Sequence, residues 1–102
     1  MPITSNFDES QNTLRISIED QFDFSKHQDF KDSYSALSDK GTNFVIDLSK
    51  TSYMDSSALG MILLLREHAN THEGSVVITQ PTDSVYKVLE IAQFQKLIDI
   101  QR

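Results

Sequence analysis

Two compact β-branched runs, Phe44-Val45-Ile46-Asp47-Leu48 and Val76-Val77-Ile78, stand on either side of a long helical stretch from Ser56 to about Thr71. A strand, a crossover helix and a parallel strand form a right-handed unit, and that handedness prunes the topologies open to the chain. Runs of this kind suit strands covered on both faces. A second unit follows, because Pro81-Thr82-Asp83 opens another helix with Val85, Val88, Leu89 and Ala92 on one face. Ahead of both, Ile3 to Phe7 and the alternating Leu14, Ile16 and Ile18 flank the polar turn formers Asp8 to Asn12, which predicts an antiparallel hairpin. From Ser25 the period turns helical through Phe30, Tyr34 and Leu37, with Ser25 and Gln28 as a capping box and Gly41 as the stop. The order β-β-α-β-α-β-α predicts an α/β fold: a mixed sheet of four to five strands, hairpin first and parallel strands after, flanked by α-helices. The tail from Phe94 keeps Leu97, Ile98 and Ile100 apolar and packs either as a short helix or as a strand.

The 102 residues suit a single domain, 1–102, with one core. Fifteen acidic against nine basic side chains leave a net charge of −6, with no basic stripe for a phosphate backbone, so nucleic acid is not an expected partner. Cysteine is absent, which removes disulfides, thiolate metal sites and a cysteine nucleophile. The longest apolar run, Met61 to Leu65, falls far short of the roughly 20 residues of a membrane helix. The start, Met1-Pro2-Ile3-Thr4, lacks a basic-then-apolar export pattern. A cytoplasmic protein without membrane insertion, monomeric when free, is the expectation.

In an open parallel sheet, chemistry gathers beyond the carboxyl ends of the strands. That rule selects the stretch Ser49 to Ser57, which leaves the third strand and enters the long helix. Asp55-Ser56-Ser57 is first of all a helix N-cap, with Asp55 facing the positive end of the dipole. A phosphate on this serine cluster would meet open N–H donors, while Asp55 would repel it. Other chemistries fit less well. There is no Gly-x-Ser-x-Gly elbow, and His27, His68 and His72 have no route to Ser56, so no catalytic residue is expected. His68 and His72 lack a third metal ligand other than Glu67 or Glu73 and suit the negative end of a helix, so neither metal nor cofactor is expected. A receiver-domain reading of Asp47 and Asp55 fails because Glu19 and Asp20 follow an antiparallel strand; Asp47 is read as structural. Along the long helix, Ala58, Ile62, Leu65 and Ala69 share the buried face, opposite Gly60, Glu67 and Thr71. Leu64 is stranded on the solvent side near Ser57 and Met61, and Met61 with Leu64 is expected to form a contact patch beside the serines.

The stretch Val45-Ile46-Asp47-Leu48-Ser49 with Tyr53-Met54-Asp55-Ser56-Ser57-Ala58-Leu59-Gly60-Met61 closely resembles the signature of the STAS domain in anti-sigma-factor antagonists, and the resemblance extends over nearly the whole chain. Alanine stands at 58 where that family usually has glycine, a change that a helix favours by about 1 kcal/mol. The chain also stops soon after Ile100, short of a terminal helix present in longer relatives. In the family, the serine directly after the motif aspartate is phosphorylated; it maps onto Ser56, with Ser57 the secondary candidate. The resemblance implies a partner switch. The unphosphorylated antagonist binds an anti-sigma factor that is also a serine kinase of the histidine-kinase-like ATPase fold, phosphorylation dissociates the pair, and a metal-dependent serine phosphatase restores binding. The chain is then a substrate and not an enzyme, and the expected contact set is Tyr53, Asp55, Ser56, Ser57, Met61 and Leu64. The competing expectation is a STAS domain held without phosphorylation on a transporter ATPase or another effector.

Overall fold

The structure is a computed structural model and describes residues 3–37 and 39–102. The Met1-Pro2 start and Ser38, inside the stretch read as the first helix, lie outside the described residues. In chain order the elements are β1 (Ile3–Asp8), β2 (Thr13–Ile18), β3 (Asp20–Phe22), α1 (His27–Tyr34), β4 (Asn43–Asp47), β5 (Thr51–Met54), α2 (Ser56–Thr71), β6 (Ser75–Thr79), α3 (Asp83–Ile91) and β7 (Asp99–Gln101). Five strands form the main sheet in the order β1-β2-β4-β6-β7, antiparallel between β1 and β2 and parallel elsewhere. This is the mixed sheet expected from the pattern.

Register places one isoleucine of each parallel strand in a single row, Ile16, Ile46, Ile78 and Ile100, with Leu14, Phe44 and Val76 in the next row on the same face. Against that face pack Phe30 and Tyr34 of α1, Ala58, Ile62, Leu65 and Ala69 of α2, and Val85 and Leu89 of α3, all in one buried cluster. Each large apolar side chain so buried contributes about 1.5–3 kcal/mol. The expectation of strands covered on both faces does not hold. Burial alternates along β4, leaving Val45 and Asp47 half-buried, and Arg15 comes within 4.0 Å of the Asp47 carboxylate on that second face. β-branched residues are at home on such a half-covered pleat as well as in a core, which is why the run misleads.

Four local readings are also corrected. Asp23, not Ser25, caps the approach to α1: its carboxylate accepts from the Ser25 N–H at 3.0 Å and from the Ser25 hydroxyl, which holds it below the usual carboxylate range. α1 therefore begins at His27, after a 3₁₀ turn over Phe24–Lys26. It ends at Tyr34 and not near Gly41, where the Ser33 hydroxyl bonds back to the Phe30 carbonyl at 2.6 Å and draws on the helix's own acceptors. Gly41, at φ +76°, instead serves the turn into β4. Ala92 is exposed beyond the end of α3. The tail uses both options, a 3₁₀ turn over Phe94–Lys96 and then β7 alongside β6.

Candidate functional site at the amino end of the long helix

The stretch read as a loop, Ser49 to Ser57, contains a strand. β5 pairs in parallel with β3, forming a two-stranded ribbon apart from the main sheet. Four residues are too few for periodicity to reveal, and the ribbon is held by long-range bonds. Buried Thr51 donates its hydroxyl to the Ile18 carbonyl at 2.6 Å, and Ser52 donates to the Asp20 carbonyl at 3.1 Å. The first turn of α3 docks on the same strand, Thr82 donating to the Thr51 carbonyl at 2.8 Å and Ser84 to the Ser52 carbonyl at 3.2 Å. Buried Phe22 and Met54 pair across the ribbon and seat it in the core. The end of β5 is therefore fixed before the helix begins.

Asp55 is the N-cap of α2, in extended conformation at φ −113°, as the sequence predicts. One oxygen, Oδ1, accepts twice: from the Ala58 N–H at 3.2 Å and from the Ser57 hydroxyl at 2.6 Å. The two serines thereby part company. Ser57 is half-buried and its hydroxyl is committed to the cap, whereas Ser56, the first residue of the helix, is exposed and its hydroxyl has no hydrogen-bond partner among the described residues. Tyr53, at the outer side of β5, is 52% exposed. Of the two hydroxyls, the one left uncommitted among the described residues is that of Ser56.

The rest of the expected patch divides. Leu64 is 53% exposed, on the solvent side, where the helical wheel puts it. Met61 is not a surface residue; at 4% exposure it packs into the core, because its position lies only about 60° round the helix from Ala58, within the broad apolar stripe of a core-facing helix. Met61 and Leu64 both line a cleft of about 320 Å3 between α1 and α2. Sequence reasoning missed Leu63, 38% exposed, which lies seven residues and two turns above Ser56 on the same stripe. The i, i+7 spacing from the serine was the available signal. His68 and His72 sit at the opposite end of α2, and among the described residues no group of three or more His, Asp or Glu side chains is placed to hold a metal.

With this geometry in view, the relatives are informative. The STAS domain model matches residues 4–102. A STAS-domain containing protein of Pseudomonas aeruginosa (strain UCBPP-PA14) is 41% identical over 87 residues, 85% of this chain and 86% of that protein. The anti-sigma-B factor antagonist of Bacillus subtilis (strain 168) is 22% identical over 98% of this chain and 92% of its own length. Among solved structures, the anti-sigma factor antagonist SpoIIAA in its unphosphorylated form superposes with a TM-score of 0.80 at 17% identity, covering 96% of this chain and 86% of that one. The match along nearly the full length, together with the mixed sheet and the capped serine at the head of α2, places the chain in the STAS domain family.

Proposed function

We propose that the chain is an anti-sigma factor antagonist of the partner-switching kind, with Ser56 as its phosphorylation site. The observation that carries the reading is the division of labour in Asp55-Ser56-Ser57, where one hydroxyl is used up by the cap and the other is left exposed at the head of the helix. The likeness to the B. subtilis antagonist supports the partner class.

In the binding form, Ser56, Tyr53 and the exposed Leu63 and Leu64 face an anti-sigma factor that is also a serine kinase. The kinase transfers the γ-phosphoryl group of ATP to Ser56 Oγ, releasing ADP and the hydroxyl proton. The new group adds about −1.5 to −2 charge next to Asp55 on a chain already at −6, so a close interface is lost to repulsion and desolvation. A weakening of about 3 kcal/mol lowers affinity roughly a hundredfold. A metal-dependent serine phosphatase hydrolyses the phosphoester with water, releasing inorganic phosphate and regenerating the hydroxyl. The chain carries no catalytic group in this scheme; it is the substrate of both enzymes.

The test uses Ser56→Ala and Ser56→Asp baits in lysate of the native cells, read by mass spectrometry. Retention of an ATPase-fold serine kinase by the alanine form alone is the expected result. Equal retention of a transporter ATPase by both forms would replace the switch with a permanent subunit.

A further inference from the structure

Gly60 lies near the amino end of α2, and the chain's own packing gives no reason for a glycine there. It lies inside a sixteen-residue helix, where glycine costs roughly 0.5–1 kcal/mol relative to alanine. A Cβ built at Gly60 meets nothing within 4 Å, and the position is exposed. The contrast is Gly74, where a Cβ would stand 2.3 Å from the Thr42 carbonyl oxygen and glycine is required by the chain's own packing.

What a side chain at 60 would do is set by helix geometry. Residues four apart are neighbours, with Cβ atoms about 5–6 Å apart, so position 60 adjoins Ser56. Helical side chains also lean toward the amino end and cover the turn before their own Cα. Any side chain at 60 would therefore lie over the turn that carries the Ser56 hydroxyl. Beyond the bare Cα stand Leu63 and Leu64, 38% and 53% exposed. The stripe thus runs from hydroxyl to bare backbone to two apolar side chains.

We infer that Gly60 is an access determinant: the absent side chain leaves the turn that carries the Ser56 hydroxyl uncovered, so that the active site of the kinase can close on Ser56. This rests on the phosphoswitch reading. Gly60 is a positioning residue in this scheme, since it acts through access to Ser56 and touches no reacting atom.

The experiment compares the full chain with its Gly60→Ala, Gly60→Leu and Thr71→Leu variants, using the purified kinase identified with the Ser56→Ala bait. Gly60→Ala is expected to raise Tm by about 4 °C. Its phosphorylation is expected to slow by about tenfold in kcat/KM, and that of Gly60→Leu by about a hundredfold, with Kd for the kinase rising in the same order. Thr71→Leu, farther along the exposed side of α2, leaves both readouts at the wild-type value. A Gly60→Ala chain that melts lower, or a Gly60→Leu chain phosphorylated at the wild-type rate, overturns the inference while leaving the switch intact. Failure of the Ser56→Ala bait to retain any kinase overturns the switch and this inference together.

Discussion

At its carboxyl end α2 is held by rings. The His68 imidazole lies 5.1 Å from Tyr34, 5.9 Å from Phe44 and 4.5 Å from His72, centroid to centroid. Its Nε2 is 2.7 Å from the Leu37 carbonyl, and the His72 Nδ1 is 2.8 Å from the carbonyl of His68. A carbonyl only accepts, so those two ring nitrogens donate and both imidazoles are held in orientation. At the amino end the same helix presents an unbonded serine, a bare glycine and two exposed leucines. At the carboxyl end the imidazoles close on the chain itself, whereas beyond the Asp55–Ser57 cap the amino end leaves Ser56 open. The cap and the β3–β5 ribbon hold the amino end as well, so the difference lies in the exposed surface that Ser56, Gly60, Leu63 and Leu64 present there.

Substitutions can break that contrast, and the largest effect belongs to the closed end. Gly74→Ala forces a Cβ onto the Thr42 carbonyl and is expected to lower stability by about 3 kcal/mol, measured by urea unfolding, with contact to the kinase unchanged in the folded fraction. His68→Ala removes one hydrogen bond and the edge contacts to Tyr34 and Phe44, for a loss of about 2 kcal/mol in the same assay. A loss below about 0.5 kcal/mol would show that the rings are ornament and the two ends alike. Asp55→Ala takes the cap from Ala58 and releases the Ser57 hydroxyl, at a cost of about 1 kcal/mol. Mass mapping of the kinase reaction should then find phosphate on Ser57 as well as Ser56; label on Ser56 alone would show that the cap does not select between them. Leu64→Glu sharpens the comparison from the open side: stability moves by no more than about 0.5 kcal/mol while kinase binding is lost. A large drop in Tm for this variant would move Leu64 into the core.

Much of this was legible in the order of residues. Hydrophobic spacing identified the hairpin, the three parallel strands and the buried stripe of α2, because each obeys a period long enough to count. The motif Asp55-Ser56-Ser57 marked the start of α2, where Asp55 is the N-cap. What escaped notice was set by partners distant in sequence. β3 and β5 are too short to show a period, and their pairing depends on Thr51 and Ser52 reaching back more than thirty residues. Met61 is buried because the apolar stripe is broader than the row Ala58, Ile62, Leu65 and Ala69, and hydropathy gives no signal that Leu63 is exposed because it stands inside the unbroken apolar run Met61 to Leu65. The preference for Ser56 over Ser57 came from the resemblance alone, and that the Asp55 carboxylate accepts from the Ser57 hydroxyl is visible only in the structure.

The β3–β5 ribbon has a consequence for how the proposed modification of Ser56 would be read. It is tied to the end of β2 through Thr51, to β3 through Ser52 and to α3 through Thr82 and Ser84, so the pedestal under the helix has little freedom to tilt. In the proposed switch, a phosphoryl group on such a pedestal would speak through its own charge and bulk, with the backbone beneath it left as it was. A reader would then meet a change confined to one hydroxyl, and one tuned to the tilt of the helix would find both versions of the molecule the same.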